Sequence, residues 1–132
     1  MRRYALCLLV GILGLLQTAE ARAHFLFIRI GDQAEAGRAV EVYFSERAEA
    51  GDAKFISKVA HTKLWIQTKP GEFSPLEVHQ TTDRLRGWLP TQPTISVTGV
   101  CQYGVLKRDV SFLLRYYPKA VSGSPGDLNT FK

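Results

Sequence analysis

Three histidines, His24, His61 and His79, are the residues of this 132-residue chain whose types best suit transition-metal chemistry. His24 directly follows Ala21-Arg22-Ala23, whose small residues are spaced as a signal peptidase requires at a cleavage site. If the cut falls after Ala23, His24 offers two nitrogens from one residue, its α-amine and its ring Nδ1. Copper(II) and nickel(II) accept such nitrogen ligands in a tetragonal plane. We therefore predict that His24 anchors a copper or nickel site.

A second histidine is expected to complete this site. His79 falls on the strand face opposite Leu76 and Val78, so it is predicted to point away from the core, and Glu77 shares its face. His61 opens another predicted strand. We expect His79 rather than His61 to be the further ligand, and the alternative for each is a solvated surface histidine.

The first 23 residues have the layout of a secretory signal. Arg2 and Arg3 precede an apolar run over residues 5–16, which is too short to span a membrane as a helix. A second possible cut, after Ala21, would leave Arg22 at the amino terminus and destroy this chelate. We prefer the cut after Ala23, because an apolar segment typical of a β-strand follows at once. The mature protein is expected in the periplasm or outside the cell.

Charge and cysteine content exclude several functions. The 109 residues after Ala23 carry 14 basic and 11 acidic side chains, scattered without a basic stripe, so nucleic acid is not an expected partner. Cys101 is the only cysteine among them, which rules out a disulfide within the mature chain. A lone cysteine in a strand is predicted to be a buried core residue. No methionine remains to form a thioether site for copper(I).

The hydrophobic pattern predicts an all-β fold. Residues 40–44 alternate apolar and polar side chains, as do residues 94–101, and both patterns are typical of half-buried strands. Asp52 is predicted to cap a short helix over Phe55, Ile56 and Val59 that crosses between sheets. The predicted strands are 25–30, 38–44, 61–68, 73–80, 83–89, 94–101 and 111–117. These seven short strands indicate an immunoglobulin-like β-sandwich over residues 24–121, followed by a linker-like tail at residues 122–132.

Three segments together resemble a family of exported bacterial domains. They are the signal that ends in Ala23-His24-Phe25, the segment Cys101-Gln102-Tyr103-Gly104-Val105, and the closing run over residues 113–120. Members of this family are often labelled periplasmic components linked to nickel or cobalt uptake. The resemblance implies an immunoglobulin-like or carboxypeptidase-regulatory-like sandwich, and it implies a membrane transporter or a second β domain as partner. An amino-terminal histidine chelate also resembles the histidine brace of copper monooxygenases and of small periplasmic copper carriers.

Two other functions compete with metal binding. Trp88 and Tyr103 are candidates for a flat platform that binds sugar rings. A sandwich that only carries loops or a partner domain, with no metal site, is the main alternative. The chain has no Gly-x-Ser-x-Gly, His-Glu-x-x-His or Cys-x-x-Cys motif and no phosphate-binding loop, so we predict no catalytic residue and no enzyme activity.

Overall fold

Two antiparallel sheets pack face to face in this computed structural model, which describes residues 23–35, 37–91, 94 and 96–122. The predicted signal peptide, apart from Ala23, and the predicted tail beyond Ser122 lie outside the described residues. The nine strands of the described part are β1 (Phe25–Ala34), β2 (Gly37–Ser45), β3 (Lys63–Lys69), β4 (Glu72–Leu76), β5 (His79–Gln80), β6 (Leu85–Trp88), β7 (Ser96–Lys107), β8 (Ser111–Tyr116) and β9 (Lys119–Val121). A 3₁₀ helix spans Ala53–Val59 between β2 and β3.

The strand order is that of an immunoglobulin-like sandwich. The first sheet has the order β1-β2-β6-β5, and the second has the order β4-β3-β7-β8, with β9 also paired to β7. When β1 to β8 are named A, B, C, C′, D, E, F and G in chain order, the two sheets become ABED and C′CFG, the order of immunoglobulin-like domains. The short β9 has no letter in this scheme. The predicted all-β sandwich is confirmed.

The core lies between the sheets, and alternation along β2 explains how it forms. Val40, Val42 and Phe44 face inward and are buried, whereas Glu41 and Tyr43 lie on the outer face of the first sheet. The second sheet contributes Leu64, Ile66, Val97 and Cys101 to the same core. The fully buried Cys101 confirms its prediction as a core residue.

The 3₁₀ helix forms where the sequence predicts a helical crossover. The Asp52 side chain accepts a hydrogen bond from the backbone N–H of Lys54 and so caps the first turn. Ile56 and Val59 are buried, and Phe55 packs against the edge of the core. The crossover carries the chain from β2 in the first sheet to β3 in the second.

Several predicted strand limits were wrong. The first strand continues past Gly31 to Ala34, because pairing with β2 resumes after a β-bulge between Ile30 and Gln33. The single strand predicted over 73–80 is two short strands in different sheets. Similarly, β7 continues past Gly104 to Lys107, since Gly104, at φ 113°, lets a bulge continue the strand. Pro118, with no N–H to donate, separates β8 from β9.

Candidate functional site

His24 lies at the open end of the sandwich, immediately before β1. Its ring centroid is 4.6 Å from that of Phe55 in an edge-on contact and 5.5 Å from that of Phe44. The Tyr116 hydroxyl donates a hydrogen bond of 3.1 Å to the His24 carbonyl oxygen, which ties the start of β1 to the second sheet. Ladder pairing with β2 begins at the next residue, Phe25. The backbone and the ring of His24 are therefore both held by neighbouring elements.

Two depressions share His24 as a common wall. We call the first the aromatic cavity; it has a volume of about 610 Å³. Its lining residues are Ala23, His24, Phe25, Phe44, Phe55, Tyr103, Leu106, Arg108, Leu114 and Tyr116. We call the second the acidic depression; its volume is about 490 Å³, and three carboxylates, those of Glu46, Glu49 and Asp52, line it with the cations of Arg47 and Lys54. His24 thus stands between an apolar and a polar compartment.

Asp52 is the carboxylate whose environment is best defined. One of its oxygens caps the 3₁₀ helix, and the other lies 2.6 Å from Nζ of Lys54. These bonds with Lys54 lower the pKa of Asp52, and the nearby charge of His24 lowers it further. The Asp52 side chain is thus a carboxylate at neutral pH, and it lies within electrostatic reach of the His24 ring. The sequence identifies Asp52 as a helix cap, but it carries no signal that places Asp52 beside His24.

His61 lies just before β3 of the second sheet and lines neither of the two depressions beside His24. It borders a depression lined by Lys63, Trp65, Val100 and Gln102. Nε2 of His61 is 2.8 Å from the backbone oxygen of Gln102, which can only accept, so Nε2 carries the hydrogen. It is also 3.7 Å from Sγ of Cys101.

His79 lies at the opposite edge of the first sheet from β1. Its strand, β5, is separated from β1 by β6 and β2, so three strand spacings of about 4.8 Å each lie between them. The side chain is exposed, as predicted, but Arg86 is its cross-strand partner and places a cation on the same face. His79 and His24 are therefore too far apart to bind one metal ion.

The expected pairing of His24 with a second histidine is not found. Across the described ranges, no group of three or more histidine, cysteine, aspartate or glutamate side chains is placed to hold a metal ion. The three histidines border separate depressions, and His24 alone adjoins acidic side chains on more than one residue. The structure thus brings His24 together with the carboxylates of the acidic depression and with neither of the other histidines.

Trp88 and Tyr103 do not form one platform. Trp88 is 46% exposed on the outer face of the first sheet, where the Arg86 guanidinium lies 5.1 Å from its ring. Tyr103 belongs to the second sheet and packs inward, with its ring 5.5 Å from that of Phe44. The sandwich therefore separates the two rings that were predicted to act together.

Cys101 is unsuited to reactive chemistry. Burial raises the pKa of its thiol, so the reactive thiolate is disfavoured at neutral pH. Its hydrogen-bonding neighbour Thr62 only partly opposes this effect. The residue acts as a core side chain.

A charged cluster covers the outer face of the first sheet. Arg84 contacts both Glu41, at 2.9 Å, and Asp83, at 2.8 Å, and its guanidinium carbon lies 5.1 Å from the Tyr43 ring centroid. The Tyr43 hydroxyl donates to the second oxygen of Glu41. Burial alone would raise the pKa of Glu41, but the hydrogen bonds from Tyr43 and Arg84 and the charges of Arg84 and Arg86 lower it overall.

The lowered pKa of Glu41 makes stability depend on pH. Its carboxylate is favoured in the folded state, so its contribution is complete above the ordinary value of 4.5 and is lost as pH falls through the folded pKa. We expect Glu41→Gln to reduce the free energy of unfolding by about 2 kcal/mol at pH 7. The difference from the unmodified protein should shrink steadily below pH 4.5. Urea unfolding at a series of pH values measures both effects.

Glu72→Gln is the matched control for this prediction. Glu72 forms an exposed pair with Lys69 at 3.8 Å, and such pairs contribute little. We expect its replacement to change stability by less than about 0.5 kcal/mol at any pH. An equally small loss of stability in Glu41→Gln would show that the cluster does not stabilise the fold. A loss that grows as the pH falls would contradict the lowered pKa of Glu41.

Comparisons with known proteins leave the site to be interpreted from its own chemistry. No protein-family model matches this chain, and neither a curated protein nor a solved structure matches it. Within the described ranges, the structure contains no helix long and apolar enough to cross a membrane.

Proposed function

We propose that this chain is an exported, non-catalytic protein that binds one copper(II) or nickel(II) ion through His24 at its mature amino terminus. The supporting observation is the position of His24. Its carbonyl oxygen accepts a hydrogen bond from the Tyr116 hydroxyl, and its side chain borders the acidic depression. A signal peptidase cut after Ala23 would create the α-amine at this place. The amine and ring Nδ1 would form a chelate, and a carboxylate of the depression would supply oxygen.

Asp52 and Glu49 are the carboxylates we propose as oxygen ligands. Both line the acidic depression beside His24. One oxygen of Asp52 lies 2.6 Å from Nζ of Lys54, so a metal ion would compete with this ammonium group for the Asp52 carboxylate. A set of two nitrogens with carboxylate oxygens suits copper(II) and nickel(II), which accept N and O donors in one plane. A cation in the depression also offsets the repulsion among its carboxylates.

The other cut, after Ala21, leads to a different metal geometry at the same histidine. The amine would then belong to Arg22, which lies outside the described residues, and the peptide nitrogens of Ala23 and His24 would stand between it and the imidazole. Copper(II) and nickel(II) displace the protons of such nitrogens and form a square plane with four nitrogens. The loss of the one-residue chelate therefore does not remove metal binding, and electron paramagnetic resonance of the copper form distinguishes the two geometries.

A thermal-shift experiment tests the proposal. The chain that begins at His24 is released from a fusion by a protease that leaves no added residue, and it is compared with the same chain after acetylation of its α-amine. A metal ion at 100 times its Kd stabilises the folded state by about 2.7 kcal/mol, so Tm should rise by several degrees. The acetylated chain should show little change, because its amine can no longer bind.

Protonation gives the same experiment a second readout. Metal binding requires the neutral amine and imidazole, so the rise in Tm should fall as the pH is lowered from 7.5 towards 5, roughly the range in which imidazoles gain protons. An identical Tm with and without copper and nickel at pH 7.5 would instead favour a structural sandwich without a metal site.

Handing the metal to a membrane transporter or to a second β domain is the role we propose for the holo protein. The site lies at an open end of the sandwich, beside the aromatic cavity, where a partner can approach it. The observation that favours a purely structural or interaction module instead is the apolar surface of the hairpin formed by β7 and β8. The same surface is also compatible with metal transfer, because it contains none of the proposed ligands.

A further inference from the structure

The hairpin formed by β7 and β8 exposes apolar side chains on both faces. We call residues 105–113 the hairpin tip. Val105 pairs with Leu113 across the two strands, and Leu106 pairs with Phe112, so the two pairs lie on opposite faces. Val105 is 61%, Leu113 64% and Phe112 52% exposed. A soluble domain has no folding reason to present these side chains together.

Cations surround these apolar side chains. Lys107 and Arg108 lie in the tip and Arg115 follows it, and all three are exposed. Asp109 is the single acidic residue between Val105 and Tyr117. The tip therefore combines an apolar surface with a net charge of +1, and the neighbouring Arg115 raises the local charge to +2. This combination complements an apolar surface edged with negative charge.

A second copy of the chain is a poor occupant for this surface. Pairing the exposed edge of β8 with itself would bring Lys107, Arg108 and Arg115 of both copies close together, and like charges repel. A strand added beside β8 would also leave Val105 uncovered, because Val105 lies on β7, the inner strand of the hairpin. A peptide in a groove covers one face, but the tip is apolar on two.

A lipid surface covers both faces at once. The phosphate groups of an anionic bilayer complement the three cations, and the region where headgroups meet acyl chains accepts the apolar side chains. Insertion no deeper than this interface also suits the backbone, since water and headgroups remain available to the unpaired edge of β8. We propose that the hairpin tip binds the surface of a membrane that contains anionic lipids.

Membrane binding would place the candidate metal centre near the bilayer. Leu106 and Arg108 of the hairpin tip line the aromatic cavity together with His24. A bound chain would therefore hold that cavity next to the lipid surface. The membrane proposal goes beyond the proposed metal function and does not depend on it, because the tip contains none of the proposed metal ligands.

Vesicle co-sedimentation tests this proposal. The chain that begins at His24 is suitable, because all described strands follow this residue. It is mixed, in the presence of EDTA, with vesicles of phosphatidylcholine alone or of phosphatidylcholine with phosphatidylglycerol. We expect binding to the anionic vesicles, weaker binding at high salt, and a loss of roughly tenfold or more in the double variant Val105→Ser/Leu113→Ser. Lys107→Gln/Arg108→Gln should weaken binding and its dependence on salt.

Phe73→Ser is the matched control, since Phe73 is 54% exposed on β4, away from the tip. It should bind vesicles as the unmodified chain does, and all variants are checked for an unchanged Tm. The proposal is overturned if the unmodified chain stays in solution or if the tip and control variants bind equally well. A dimer in analytical ultracentrifugation that the tip variant abolishes, without vesicle binding, would overturn it in favour of self-association.

Discussion

Replacing His24 by alanine is expected to lower the affinity for copper(II) by more than about 100-fold. The reason is that His24 supplies the imidazole of the proposed chelate, whereas loss of a group that merely orients a metal ligand already costs about 10–100-fold. The effect should be present whichever signal cut is used, because both proposed geometries need this ring. Competition with a coloured chelator of known affinity measures the change at pH 7.5.

His61→Ala and His79→Ala are the matched controls for the His24 variant. His61 lies just before β3 of the second sheet, and His79 lies at the far edge of the first. Neither adjoins the acidic depression. Both should leave the affinity within about threefold of the unmodified value, because exposed residues that contact neither the ligands nor their neighbours have effects that are small and independent of the site. A large loss in His79→Ala would restore the pairing that the sequence predicts and would contradict the site described above.

Phe44→Ala is expected to produce the largest loss of stability, about 3–5 kcal/mol in the free energy of unfolding. Phe44 is buried, and its ring contacts those of His24, Tyr103 and Tyr116. Truncation removes apolar burial and leaves a cavity where both sheets meet. Urea unfolding measures the change, and the exposed Phe73 provides a control whose replacement by alanine should cost less than about 1 kcal/mol.

Phe44 also connects stability to the proposed metal site. Its ring forms part of the wall that holds the His24 side chain, so Phe44→Leu, which keeps most of the apolar volume, should cost less stability than Phe44→Ala. If the aromatic wall positions His24, Phe44→Leu will still weaken copper binding by a measurable factor. Equal copper affinity in Phe44→Leu and the unmodified chain would show that the wall supports the fold alone.

Local patterns predicted much of this fold correctly. The alternation over residues 40–44 identified the buried face of β2, and the position of Cys101 in an alternating strand identified a core thiol. The short helix and its cap by Asp52 were also predictable, because capping depends on neighbours in the chain. These features share one property, namely that residues close in sequence determine them.

Features that depend on distant contacts were not predictable. The segment over 73–80 is predicted as one strand, because Leu76 and Val78 alternate with Glu77 and His79, yet β4 pairs with β3 and β5 pairs with β6 in the other sheet. That change of sheet moves His79 to the edge farthest from β1 and separates it from His24. The position of Asp52 beside His24 has the same origin, since the crossover after β2 brings it there. Spacing along the sequence carries no signal for either result.

Intact mass spectrometry of the exported protein, sprayed under native conditions with one equivalent of copper or nickel, tests the central proposal most directly. We predict a chain that begins at His24 and retains one metal ion, and a loss of that ion in His24→Ala. A chain that begins at Arg22 with one retained ion would assign the four-nitrogen geometry to the same histidine. A metal-free mass under these conditions, whatever the first residue, would contradict metal binding and leave a structural sandwich as the function of this fold.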